Sequence, residues 1–209
     1  MAAMLLAGTA TAQAQTFSTA GLADAATRYP PFTTGANVQP TQGVTSASCP
    51  ASGDVERQGG VVIAYHGADP GNSHLCQMTA NGLPYQAWDS IWHADWPGAA
   101  DAAIAMPQVM EGPTGTVRGF DVRAAPGANW HDLLRNEGVE DINLLGHTYH
   151  TVKMSHYREG MEDNIYRSVT TVWKDIATGA LLFTTYDHIA GRPALEQAFI
   201  PVRISLPGG

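Results

Sequence analysis

The chain has 209 residues, 44% of them hydrophobic, which is enough to bury a substantial core as a single domain. Eleven Lys and Arg against nineteen Asp and Glu leave a net charge of −8, which repels phosphate backbones and anionic headgroups and argues against nucleic acid as a partner. Only 14% of residues are charged, while Gly numbers 22 and Pro 13, a balance that favours short elements and many turns over long solvated helices.

Residues 1–14 form an uncharged, small and apolar run that closes on Ala12-Gln13-Ala14, the small-x-small pattern of a signal peptidase site. The run lacks a basic leading segment and is too short to span a bilayer. We read it as a signal peptide, which sends the protein to the periplasm or outside the cell. No later stretch approaches the roughly 20 apolar residues of a transmembrane helix. Residues 15–53 are rich in Ala, Thr, Gly, Pro and Ser, with Tyr29-Pro-Pro-Phe32 as the aromatic anchor, and read as an N-terminal arm. The two cysteines, Cys49 and Cys76, are expected to pair, because an exported protein with an even cysteine count usually oxidises them and no Cys-x-x-Cys spacing suggests a metal or redox site.

The remainder, residues 54–209, reads as one β domain. Val61-Val-Ile-Ala-Tyr65 is a strand ended by the Gly67-Ala-Asp-Pro-Gly71 turn. Gln77-Met-Thr meets Asn81-Gly82, a strong hairpin dipeptide, so Leu83–Trp88 returns antiparallel to it. Between Pro97 and Met110 an Ala-rich stretch predicts one short helix, which Pro107 should end or kink. Thr116–Arg123 alternates as a strand. Ile142–Leu145 runs through Gly146 into the long β stretch His147–Arg158. Tyr166–Trp173 and Leu181–Tyr186 follow, joined by a loop whose Asp175 and Gly179 suit a hairpin. Ala198–Ser205 is the last strand, with Pro201 marking an edge or a bulge. The expected fold is therefore mainly β: a curved antiparallel sheet of meander type with one short helix, in a single domain.

The segment Trp173-Lys-Asp-Ile-Ala-Thr-Gly179-Ala-Leu-Leu182 resembles the strand-turn-strand signature of periplasmic convex-sheet proteins similar to the LolA-type lipoprotein carriers. An aromatic strand end there meets an Asp-x-x-Thr-Gly turn, and the resemblance covers about 25 residues. It implies a curved antiparallel sheet around a hydrophobic cavity and an acyl-chain or apolar-peptide ligand. It carries over architecture and no functional residue.

Eight histidines raise metal binding, with His147, His150, His156 and His188 the richest group. On a strand His147 and His150 face opposite sides, and His150 and His156 share a face but lie about 20 Å apart. A site would need His188 beside one of them, with Asp187 or Glu162 completing or orienting the ligands. General acid–base chemistry is a second possibility, using His156, Tyr157, Tyr149 and His150 with Arg158 and Arg167 around an anionic substrate, as on a secreted polysaccharide-degrading enzyme. Gly71-Asn-Ser73-His-Leu75 lacks the second Gly of a nucleophile elbow. No phosphate-cradling loop, dinucleotide fingerprint or His-Glu-x-x-His is present, and no cofactor is expected.

Trp88, Trp92 and Trp96 recur every fourth residue, which fits a helix face and also one face of a strand. The strand fits better, because the intervening Asp, Ser and His are mediocre helix formers. Aromatic core is the plain reading of these rings. The functional reading is a stacking surface for an apolar or amphipathic ligand, together with Trp173 and Tyr186.

Overall fold

The computed structural model describes residues 49–88, 92–93, 99–125, 128–192 and 198–207. The expected signal peptide, the arm up to Ser48, and Trp96 lie outside the described residues. The described chain is mainly β, in two antiparallel sheets with one helix.

The first sheet orders its strands β11-β1-β2-β3-β4-β5. These are β1 (Asp54–Arg57), β2 (Val61–Asp69), β3 (Asn72–Ala80), β4 (Leu83–Trp88), β5 (Trp92–His93) and β11 (Pro201–Ser205). The second is an unbroken five-stranded meander, β10-β9-β8-β7-β6. Its members are β6 (Val117–Ala125), β7 (Ala128–Leu144), β8 (His147–Gly160), β9 (Arg167–Asp175) and β10 (Leu181–Ala190). Phe199 links the two sheets: its carbonyl accepts from the Thr184 N–H of β10, and its own N–H donates to Thr184 Oγ1. One core cluster contains Val55, Tyr65 and Met78 of the first sheet with Leu134, Met154, Val172 and Leu182 of the second.

The turn chemistry explains much of this path. Asn81 and Gly82 both hold positive φ, 50° and 79°, the geometry a two-residue hairpin needs to match strand twist. The β9–β10 loop closes as its sequence predicts: Thr178 donates from its N–H and Oγ1 to the Asp175 carboxylate, and Gly179 adopts φ 78°. Pro201 fits both expectations for it, on an edge strand and opposite a register shift at Glu56/Arg57. Cys49 and Cys76 form the expected disulfide.

Three elements differ from the sequence reading. The helix, α1 (Ala99–Met110), continues through Pro107 for a further turn, and the Glu111 N–H donates to the Pro107 carbonyl. Trp88 and Trp92 sit on neither a helix nor one continuous strand; they end β4 and begin β5 and are directly opposite in register. Strand β7 starts at Ala128, fourteen residues before the expected Ile142.

Asn136 holds α1 against the meander. Its buried Nδ2 donates to the carbonyls of Val109, Met110 and Gly112, which the end of the helix leaves without intrahelical partners. Its Oδ1 accepts from the Gly138 N–H and shapes a bulge at Asn136–Gly138. Asn136→Ala is expected to cost roughly 2–3 kcal/mol, because it strands several buried polar groups at once; chemical denaturation of the two proteins measures it.

Candidate functional site

Residues that pair directly across antiparallel strands share a face, and neighbours along a strand do not. The register therefore sorts the meander's side chains. One face, which we call the helix-side face because Asn136 and Arg118 reach α1 from it, carries two cross-strand rows of mixed character. The first is Phe120, Asp132, Arg158, Ser168 and His188. The second is Arg118, Leu134, His156, Thr170 and Tyr186. Next along the strands come Asn136, Met154, Val172 and Thr184, and then Val139, Val152, Lys174 and Leu181.

Asp132 is the centre of the polar group and is fully buried. Arg158, only 4% exposed, grips it with two parallel bonds, Nε to Oδ1 at 2.9 Å and Nη2 to Oδ2 at 2.8 Å. His156 Nε2 lies 3.3 Å from the same Oδ2. The Trp130 ring covers the guanidinium at 4.7 Å, so the charge is held between a carboxylate and an aromatic face. Burial alone would raise the Asp132 carboxyl, but the charges of Arg158 and His156 and their hydrogen bonds outweigh it and hold the group well below the usual carboxylate range. Asp132 is thus a fixed anion rather than a proton donor at neutral pH.

Beside this group, the Tyr166 and Tyr186 hydroxyls are 2.9 Å apart, and the Tyr166 ring meets the His188 ring edge-on at 6.1 Å between centroids. Gly160 and Gly191 bring the chain tightly around Tyr166. A Cβ on Gly160 would stand 2.1 Å from the Asn164 carbonyl oxygen, and one on Gly191 would stand 2.7 Å from Tyr166 Cα.

The opposite face is built differently. Trp173 is buried there, its indole N–H donating to the Glu140 carboxylate, with Lys153 Nζ 5.1 Å above its ring and Phe183 packed at 5.1 Å. Glu140 and Lys153 also approach each other, at 3.8 Å.

The residues singled out from sequence are thus divided. His156 and Arg158 share the helix-side face with Tyr186 and His188, whereas Tyr157, Tyr149, Arg167, Asp187 and Trp173 lie on the other. His156 and Tyr157 cannot flank one substrate. Tyr157 is also a poor base: burial pushes its phenol up, and Glu159 adds to the rise while Arg167 opposes it. Burial and the Asp175 charge raise Tyr149 in the same way. His150 is exposed near the β7–β8 turn, with Nδ1 2.6 Å from Asp141 Oδ1. Its level on β10 falls near Leu181, seven residues and roughly 23 Å from His188, so the two do not meet. No group of three or more His, Cys, Asp or Glu among the described residues could hold a metal ion.

Asp132, Trp130 and Tyr166 are not among the site residues the sequence suggests, although they build the group around His156 and Arg158. The alternation Trp130, Asp132, Leu134, Asn136 is the signal for the first two, legible only once β7 is recognised as a strand. Comparison of the chain with family models, curated proteins and solved structures finds no match.

Proposed function

We propose that the protein binds a small amphipathic molecule on the helix-side face of the meander, in an oxidising compartment of the cell envelope or outside the cell. The observation that carries this reading is the grading of that face. Val139, Val152, Met154, Val172 and Leu181 form its apolar part, interrupted by Lys174, and Asp132, His156, Arg158, Ser168 and His188 form a polar part only a few residues along the same strands. Apart from the half-buried His188 these side chains are buried in the folded chain, so a molecule with a tail and a polar end would enter by parting the meander from the elements packed on it. The Cys49–Cys76 disulfide suits an oxidising compartment. Carriage of an acyl chain is also what the resemblance of Trp173–Leu182 to the lipoprotein carriers implies.

A secreted His- and Tyr-dependent enzyme acting on a polysaccharide has weaker support, because its two principal residues face apart. Native mass spectrometry of the protein purified without detergent tests the binding reading. A mass excess that denaturation releases as a lipid or other amphiphile is the expected result. A bare chain mass, with no uptake of an added fatty acid or fatty alcohol, sinks it.

A further inference from the structure

The outer strands of a sheet carry backbone groups that need an occupant or a deterrent. Among the described residues, β5 has only 2 residues, β11 opens on Pro201, and β10 donates its Thr184 N–H to the Phe199 carbonyl. Strand β6 is different: it has 9 residues, ends the meander, and is paired on one side by β7. The turn before it shows which of its groups face outward. The Asn136 N–H donates to the Thr116 carbonyl and the Asn136 carbonyl accepts from the Gly115 N–H, so the backbone of Asn136, and of every second residue of β7 before it, faces β6. Leu134, Asp132 and Trp130 therefore exchange hydrogen bonds with Arg118, Phe120 and Val122, while Gly119, Asp121 and Arg123 turn their N–H and C=O groups outward. The same alternation, carried through the register to the far side of the meander, points the Thr184 N–H away from β9, where it does meet Phe199.

Gly119 has no side chain and is exposed, so its outward backbone is open to water. Asp121 and Arg123 are exposed on the same face. Charges on an edge strand ordinarily keep a second strand away. These two have opposite signs and stand two residues apart, so an antiparallel copy that sets its Arg123 opposite Asp121 also sets its Asp121 opposite Arg123. Asp121 Oδ1 lies 2.8 Å from His131 Nδ1, which leaves Oδ2 for a newcomer, and Arg123 makes no side-chain bond among the described residues. We propose that the β6 edge docks a second copy of this chain, antiparallel about a two-fold axis at Val122, so that the two five-stranded meanders become one continuous sheet. In this register the outward groups of Asp121 and Arg123 bond those of Arg123 and Asp121 of the second copy. Moving the axis to Asp121 would set the two aspartates against each other, which disfavours that register.

Sedimentation equilibrium of the full chain, disulfide intact, over a range of concentrations tests this and should show a monomer–dimer equilibrium. Arg123→Asp sets like charges opposite each other at both symmetric positions and should weaken association by roughly tenfold or more. Asp121→Arg should do the same with positive charges. An equimolar mixture of the two variants is the decisive sample, because an edge with two arginines meets an edge with two aspartates and a heterodimer should form at least as tightly as the wild-type dimer. In wild type, hydrogen exchange at the Gly119, Asp121 and Arg123 amides should slow as protein concentration rises.

A wild-type chain that stays monomeric up to about 1 mM overturns the proposal. So does a dimer that Arg123→Asp leaves unweakened, which places the contact elsewhere on the surface, and so do two folded variants that fail to recombine in the mixture. Slow exchange of the three amides in a chain that remains monomeric means that another segment of the same chain covers the edge, and it also overturns the dimer. Asp121→Arg gives up the His131 contact and is checked by its melting temperature; if it does not fold, Arg123→Asp, which has no such bond to lose, decides the question with the exchange measurement.

Discussion

Replacing Asp132 by alanine is expected to destabilise the protein by about 3–5 kcal/mol, the scale found when one member of a buried ion pair is removed. The loss arises from what is left behind. Arg158 is 4% exposed, and without its carboxylate the guanidinium has given up hydration and lost the two parallel bonds that held it. The double variant Asp132→Leu with Arg158→Met separates this cost from the worth of the pair itself. Exchanging a whole buried pair for packed apolar side chains is often neutral, so the double variant should recover most of the stability. If the losses simply add, the two residues are not acting on each other.

The pH dependence has a fixed sign. Asp132 is held below its unfolded-state value, so its ionised form stabilises the fold fully above about pH 4, where the unfolded carboxyl is also ionised. That stability drains away as pH falls from there toward the depressed folded value. The gap between wild type and Asp132→Asn should therefore be constant near neutrality and narrow in acid. Urea denaturation at a series of pH values measures it, and a gap that widens below pH 4 would contradict the assigned direction.

The second large effect is expected at the disulfide. Cys49 and Cys76 are 27 residues apart, and in the chain-entropy account closing a loop of that length disfavours the unfolded chain by roughly 3–4 kcal/mol. Cys76 is buried in β3, so the bridge fastens the segment before β1 to the core of the first sheet. The double substitution to serine should lower stability by that amount, and dithiothreitol should do so only in the wild type. A loss much smaller than this would mean that the reduced, unfolded chain keeps residual structure around the two positions.

The sequence reveals the hairpins better than it reveals the site. Asn81-Gly82 and the Asp175-to-Gly179 loop carry their own turn chemistry, and His147–Arg158 is rich enough in Thr, Tyr and Val to be read as a strand. Strand β7 is harder to recognise, because its buried positions include Asp132 and Asn136, residue types that ordinarily mark surface or turn. Their partners, Arg158 and the end of α1, are 26 and 27 residues away along the chain. Pro107 misleads for a related reason: helix propensity is local, whereas α1 is fastened at its end by Asn136 from another strand. Trp88 and Trp92 recur with a period that fits a helix or a strand, and a hairpin that places them opposite each other has no periodic signature at all.

The bulge at Asn136–Gly138 has a consequence for how this segment can change. Leu134 and Asn136 before it bury on the helix-side face, whereas Ile142 and Leu144 after it bury on the opposite face, so one continuous strand serves two neighbourhoods. Strand β8 makes the same exchange at Thr151–Val152, where two consecutive residues are buried. Composition between Asp132 and Asp141 is therefore freer than length. Inserting or deleting a single residue there would turn Asp132 out of the row it shares with Arg158, or turn Ile142 and Leu144 away from the core.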